Sequence, residues 1–284
     1  MTGFIYKFKS ILGKGTFGSV YKGQNKRTDE NVAIKIANII HNHEDEKMAF
    51  KILKHEASIL NHLRNEKFIP NLRWFGKYDN VSMLVTDLLG ISLLELTNIS
   101  LCDMLYILNQ GVNLLESCHK NNIIHRDIKP ENFMFDLATA KQLYIIDFGL
   151  AKYNKKCYNK DKKTGFIGNI IFSSIRVMED NEPYFKDDLI SFMYTVIFIY
   201  TKSIPWGNLD IEDYDKYKLE VLKLKKEYTP SRLCKSMPLC IEKIMIYSNS
   251  IINGNIPDYN YLRKIINNDL KMLSCYKNNN FNVD

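Results

Sequence analysis

The chain has no stretch built to cross a bilayer and no leader pattern at its start. A spanning helix needs about 20 apolar residues, whereas the longest apolar run, Phe192 to Tyr200, is far shorter and is broken by Tyr194 and Thr195. No membrane partner is expected, and the protein is read as intracellular, in cytoplasm or nucleus. The six cysteines, at positions 102, 118, 157, 234, 240 and 275, form no Cys-x-x-Cys pair, and no histidines stand at zinc spacing. That argues against a cysteine metal centre and for reduced structural thiols. The formal charge of +7 comes without a basic motif interleaved with aromatics, so nucleic acid is not the expected partner. The 284 residues have room for one unit with a substantial core but not for an appended module, and a monomer is expected. Hydrophobic residues at 45% and charged residues at 25% suit a globular protein in water. Asn, Lys, Ile and Tyr are abundant, down to Asn278-Asn279-Asn280. That bias suggests an AT-rich genome, such as a protist's or a large DNA virus's.

What is present is concentrated in His125-Arg126-Asp127-Ile128-Lys129-Pro130-Glu131-Asn132 and, further on, Asp147-Phe148-Gly149. Ile123-Ile124 before the first segment and Leu143-Tyr144-Ile145-Ile146 before the second are short apolar runs. They predict buried β segments that deliver the next residues to fixed points. Asp127 could then accept the proton of an attacking hydroxyl, and Lys129 could neutralise charge on a transferred phosphoryl group. Asn132 and Asp147 supply oxygens for magnesium. Either turn alone could be an ordinary polar turn, but the pair in this order resembles the catalytic loop and metal-binding turn of a protein kinase.

The amino-terminal part supplies a grip for a nucleotide. In Leu12-Gly13-Lys14-Gly15-Thr16-Phe17-Gly18-Ser19-Val20 the glycines let backbone N–H groups approach phosphates closely. A dinucleotide-binding fold would need a helix straight afterwards, but Ser19 to Gly23 and Val32-Ala33-Ile34-Lys35 read as strands. A β-hairpin lid is expected instead. From Glu46 to Leu63 the residues Ile52, Ile59, Leu60 and Leu63 form a helical stripe with Glu56 inside it. A carboxylate on a buried face needs a partner, and Lys35 is the candidate, the pair placing the lysine on the α and β phosphates of ATP.

The coarse pattern predicts an α+β, bilobal architecture. A small β-rich lobe covers about 1–86 with one helix, a connector covers about 87–90, and a mainly helical large lobe covers about 91–284. A long helix is marked by Leu101, Leu105, Leu108, Val112 and Leu115, with later helices near 187–202, 236–252 and 258–272. Val85-Thr86-Asp87-Leu88-Leu89-Gly90 reads as strand end plus connector, whose backbone amides could meet an adenine edge. Leu12, Val20, Ala33 and Met134 would form apolar walls. Thr86 would be the gatekeeper, a small one that leaves a back pocket open.

Asp87-Leu88-Leu89-Gly90-Ile91-Ser92-Leu93, His125 to Phe133 and Ile146 to Lys152 resemble the casein kinase I family of serine/threonine protein kinases. So do an activation segment without Ala-Pro-Glu, in which Ser174-Ile175-Arg176 stands for the family's Ser-Ile-Asn, and three later segments: Asp187 to Phe192, Ser203 to Trp206 and Pro257 to Arg263. The likeness covers most of the chain. It implies ATP and magnesium as cofactors, transfer of the γ-phosphoryl group to protein Ser or Thr, and acidic protein substrates. It also implies activity without phosphorylation of the activation loop, and an Asp188 that anchors the catalytic-loop backbone. Lys129 agrees with Ser/Thr transfer, and Arg126 could still bind an anion.

Departures cluster beyond Gly168. The family threonine that contacts the catalytic acid is Asn169, which can still donate a hydrogen bond. The arginine of the family's substrate anion site is Ile171, and a second basic position is matched by Lys216, so a weaker preference for phosphorylated substrates is expected. Lysines 152, 155, 156, 160, 162 and 163 face only Asp161 and form either a solvated loop or an attraction for acidic partners. The chain ends soon after the last family-like segment, so an autoinhibitory tail is not expected. The alternatives are a pseudokinase or nucleotide-binding scaffold, and a small-molecule phosphotransferase of the same fold.

Overall fold

Along Val32-Ala33-Ile34-Lys35-Ile36-Ala37 the side chains alternate between two faces, as a strand requires. Val32 and Ile34 are buried on one face, and Lys35 lies with Ala33 and Ala37 on the other. This strand is central to a five-stranded sheet in a computed structural model whose described residues are 4–15, 18–37, 43–79, 81–154 and 163–273. Strands β1 (Tyr6–Gly15), β2 (Gly18–Asn25) and β3 (Asn31–Ala37) run as an antiparallel meander. Helix α1 (His43–His62) follows, and β4 (Leu72–Tyr78) and β5 (Val81–Asp87) complete the order β1-β2-β3-β5-β4. The register sets Val20 opposite Lys35 and Lys35 opposite Leu84, so these three share the face turned towards α1. The other face closes a separate small core of Tyr6, Val32, Ile34, Met83 and Val85, roofed by Phe4, Tyr21 and Trp74.

Gly15 and Gly18 pair at the tip of the β1–β2 hairpin. A Cβ at Gly18 would lie 2.1 Å from the Ile36 carbonyl oxygen, so only glycine lets the hairpin close onto β3. Thr16 and Phe17, expected to contact nucleotide, lie outside the described residues.

The remainder is mainly helical. In chain order come α2 (Leu101–Lys120), β6 (Ile123–Ile124), β7 (Phe133–Phe135), β8 (Leu143–Ile145), β9 (Lys152–Tyr153), α3 (Ile175–Met178), α4 (Phe185–Thr201), α5 (Tyr214–Glu227), α6 (Pro230–Leu233), α7 (Leu239–Ser250) and α8 (Tyr259–Met272). Short 3-10 turns occupy Leu93–Glu95, Pro130–Asn132 and Phe148–Leu150. Helix α4 is buried on almost every side from Phe185 to Ile199, as befits a helix apolar all round. α2 packs against it so closely that a Cβ at Gly111 would sit 1.9 Å from the Phe192 ring. The strand pairs β6–β9 and β7–β8 hold the loops after Ile124 and Ile146 to this base.

The architecture is bilobal α+β, as the sequence predicts. Helix α5 was not anticipated, because only Val221 and Lys225 of it are buried and one of those is a lysine. Cys118, Cys234 and Cys240 are buried free thiols, but Cys102 is disulfide-bonded, which corrects the expectation of reduced thiols for that residue.

Candidate active site

Lys35 projects from β3 between two carboxylates. Its Nζ lies 2.8 Å from Glu56 Oε2 and 2.7 Å from Asp147 Oδ1. Glu56 reaches it because Leu53, Glu56, Ala57 and Leu60 form the buried stripe of α1, with the carboxylate in an otherwise apolar row. Burial opposes the charge on Lys35, but Glu56 and Asp147 outweigh it and hold the lysine above its ordinary range. The two acids respond differently. Burial pushes Glu56 up against the pull of Lys35, whereas for Asp147 the lysine overcomes burial and holds the carboxyl down. The difference follows from exposure, 5% for the Glu56 side chain and 29% for Asp147. Lys35 and Asp147 are thus the firmly charged pair.

Asp147 has a left-handed backbone (φ 63°) and accepts from Gly149 N at 3.4 Å. Its Oδ1 is taken by Lys35, leaving Oδ2 without a protein partner among the described residues. Nearby, Ile146 N donates to Asn132 O at 2.9 Å, which ties the two loops together. Asn132 Nδ2 donates to the Asp127 backbone oxygen at 2.7 Å and to its Oδ2 at 3.1 Å. Lys129 Nζ meets the same Oδ2 at 2.8 Å. Lys129 and Asn132 thereby converge on the Asp127 carboxylate, in a loop tied by its backbone to the segment of Asp147. Asp147 Oδ2 and the Asn132 amide oxygen, carried on loops tied together by that backbone bond, are hard oxygen donors of the kind that would suit magnesium.

The loop holding these groups hangs from Asp188, at the start of α4. Its Oδ2 accepts from His125 N at 2.7 Å and its Oδ1 from Arg126 N at 2.9 Å. These bonds hold Arg126 in its left-handed conformation (φ 68°), which costs energy for a residue with a side chain. Asp188 also meets His119 Nε2 at 3.1 Å, and His119 Nδ1 meets the Tyr259 hydroxyl at 2.5 Å. Helices α2, α4 and α8 therefore join in one buried chain of bonds. Burial would push Asp188 up, but His119 and the loop N–H groups outweigh it and hold the carboxyl below its ordinary range. Asp127 N donates to His125 Nδ1 at 3.3 Å, which leaves His125 Nε2–H to donate to Ile146 O at 2.9 Å. Sequence reading missed His119 and Tyr259, because a histidine in an amphipathic helix carries no signal of its partner.

Where a nucleotide is expected, Val20 and Ala33 are half-buried on the Lys35 face of the sheet. Leu12 is half-exposed near the hairpin tip, as are Gly13, Lys14 and Ser19 to differing degrees. Met134 pairs with Tyr144 and bridges to Ser92, placing it under the connector. Gly90 N donates to Phe135 O at 2.8 Å, fixing the connector's far end. Thr86 is half-buried, its hydroxyl 3.4 Å from Asp87 O. The Asp87 side chain turns back to β4, accepting from Arg73 Nε at 2.6 Å and Asn71 Nδ2 at 2.7 Å, so only its backbone is free for a ligand. Leu89 is half-buried beside it.

The segment beyond Gly168 departs from expectation. Gly168 has φ 116°, and a Cβ there would lie 2.6 Å from Arg126 O, so the segment abuts the loop of Asp127. Asn169 does not bond to Asp127. Its Oδ1 accepts from Ile171 N at 2.8 Å and Phe172 N at 3.3 Å, because a short amide closes an Asx turn on its own chain. Ser174 and Arg176 are anchored to Asp187, by Ser174 Oγ at 2.6 Å and an Arg176 terminal nitrogen at 3.2 Å. Lys216 is exposed in the first turn of α5 and forms no ion pair among the described residues, only a backbone bond to its cap Asp213. Three other lysines near the segment are engaged by one acidic turn. Lys226 pairs with Glu179 at 2.6 Å, Lys218 with Asp180 at 2.9 Å, and Lys152 with Glu182. Burial depresses Arg126, partly offset by Asp188 and Glu182. Of the lysine run, residues 155, 156, 160 and 162 lie outside the described residues. Lys163 Nζ donates to Glu179 O at 2.7 Å.

No helix among the described residues is long and apolar enough to cross a membrane. In comparison with known proteins, residues 6–249 match the family model described as protein kinase domain.

Proposed function

Since the chain belongs to the protein kinase family, we propose that it transfers the γ-phosphoryl group of ATP to serine or threonine of protein substrates, in the manner of casein kinase I. The observation that carries this reading is the double contact of Lys35 with Glu56 and Asp147, together with Lys129 on Asp127. Lys35, kept charged by two carboxylates, would bind the α and β phosphates. Asp127 would orient the substrate hydroxyl and receive its proton, while Lys129 offsets charge growing on the phosphoryl oxygens. Asp147 and Asn132 would hold magnesium, which supplies neutralisation of the phosphates. The whole chain acts as one catalytic unit, with the connector 87–90 between its lobes. The pair Lys129–Asp127 supports a Ser/Thr acceptor, and the Ser174-Ile175-Arg176 anchor on Asp187 supports the casein kinase I assignment.

Acidic proteins would be accepted with little demand for an upstream phosphate. Ile171 is apolar, Lys152, Lys218 and Lys226 are already paired with the chain's own acids, and exposed Lys216 is left to attract acidic residues. The turn of Asn169 away from Asp127 favours a second reading, a nucleotide-binding scaffold. Incubation of the purified protein with magnesium ATP and casein, beside Asp127→Asn and Asp147→Asn, separates the two. Phosphoserine or phosphothreonine that disappears in both variants is the expected result. ATP binding without transfer to casein or to a peptide library would sink the kinase reading.

A further inference from the structure

Lys225 is a lysine where a core residue belongs. It sits on α5 with 2% of its surface exposed, and among the described residues no carboxylate lies beside it to offset burial, which holds it well below the ordinary lysine range. Its Nζ donates to Ile170 O at 2.8 Å and to Ser173 O at 2.6 Å. The rings of Tyr194 and Trp206 stand 5.1 and 5.3 Å from it, within the range of cation–π attraction. Trp206 adds a third bond to the same turn, from Nε1 to Ile171 O at 2.8 Å.

Three carbonyl groups in four residues thus point into the large lobe, and each is met by a buried donor. Inside a core, unmet carbonyls would cost about 1–3 kcal/mol each, so the shape of turn 170–173 depends on Lys225 and Trp206 as well as on the Ser174 bond to Asp187 at its end. On its other side the same segment touches the loop of Asp127, through Gly168 against Arg126 O. The turn's own Asx closure by Asn169 runs within the segment and gives it no hold on the lobe.

We propose that Lys225, caged by Trp206 and Tyr194, is a positioning residue for the protein substrate. It sets the height and orientation of segment 168–174, against which the acceptor peptide lies, and acts without touching ATP. This rests on the kinase reading for the identity of the peptide, but not for the geometry of the segment. A buried amine with two carbonyl partners provides a fixed span between α5 and the segment that no hydrophobic side chain could set, since apolar contacts have no direction.

The test compares wild type with Lys225→Met, which keeps the length of the side chain and removes both donors. Two readouts are taken: steady-state kinetics with a casein-derived serine peptide, and amide hydrogen exchange over residues 168–174. The expected result is a peptide KM raised roughly tenfold, an ATP KM unchanged, and faster exchange confined to the segment. Trp206→Phe, which keeps a ring beside the Lys225 nitrogen but loses the bond to Ile171 O, should move both readouts the same way by about threefold. It decides the matter if Lys225→Met does not fold. Unchanged exchange and unchanged peptide KM in a folded variant overturn the proposal, as does a rise in ATP KM equal to that for peptide. If the wild type phosphorylates no peptide, the kinase reading fails, and the exchange experiment still decides the role of Lys225.

Discussion

Removing the charge from Lys35 strands Glu56, and the cost can be worked out. In Lys35→Met the side chain of Glu56, 5% exposed, faces Asp147 with no cation between them. A buried charge deprived of its partner costs about 3–5 kcal/mol, unless it takes a proton. For a carboxyl with an unfolded pKa of about 4.3, protonation at pH 7 costs about 1.4 kcal/mol for each pH unit across a gap of about 2.7, hence about 4 kcal/mol. At pH 5 the same route costs about 1 kcal/mol. Burial already pushes Glu56 up in the intact protein, and loss of the lysine pushes it further. A carboxyl whose folded pKa is raised gives stability that is fully present below its unfolded pKa and is lost as pH rises towards the folded value. The stability penalty of Lys35→Met should therefore grow from about 1 kcal/mol at pH 5 to about 4 kcal/mol at pH 7. Lys35→Met/Glu56→Gln should recover most of the loss and flatten the pH dependence while staying inactive. Urea unfolding followed by circular dichroism at the two pH values measures this. A penalty equal at both, or no recovery in the double variant, would refute the reasoning.

Three further outcomes are expected. Gly111→Ala drives a Cβ to 1.9 Å from the Phe192 ring and should cost about 3 kcal/mol or more through overpacking of α2 on α4; an unchanged melting temperature would contradict that. Asp188→Asn replaces a carboxylate that accepts from His125 N, Arg126 N and His119, and should cost about 3 kcal/mol and most of the activity, read by denaturation and by casein phosphorylation; wild-type rates would show that the loop stands without this anchor. Glu179→Gln/Asp180→Asn/Glu182→Gln frees Lys226, Lys218 and Lys152, and should raise the kcat/KM ratio for a peptide with an upstream phosphoserine over its unphosphorylated form by about tenfold; an unchanged ratio would remove the acidic turn from any account of selectivity.

The parts of this fold that can be read from sequence are those where polarity and period agree. Alternation in Val32 to Ala37 and the stripe around Glu56 announce a strand and a helix, and the misplaced acid in that stripe points to Lys35. Helix α5 conceals itself because its inward positions are Val221 and Lys225, and pattern rules count a lysine as an outward residue. Asn169 shows the opposite limit. Its chemistry allows a bond to Asp127, but an Asx turn two residues long is available first and takes the oxygen. The acidic turn 179–182 is also illegible in sequence, since its partners come from β9 and from two turns of α5, and charge alone does not say which opposite charge will be near. Lys216 is picked out by its place in the family match, whereas the lysines that bond to the segment or to the acidic turn beside it are 218, 225 and 226.

Trp206 gives the protein a built-in optical reporter. The chain has two tryptophans: Trp74 on β4 in the small lobe, and Trp206, wholly buried between Tyr194 and Tyr228. The indole N–H of Trp206 is bonded to Ile171 O and its ring lies beside the Lys225 nitrogen. Its emission is therefore sensitive both to the state of the Lys225 amine and to loss of that bond. With Trp74 replaced by phenylalanine, the remaining tryptophan fluorescence would come from beneath segment 168–174, and titration with unlabelled peptide or with ATP would be followed without any attached dye.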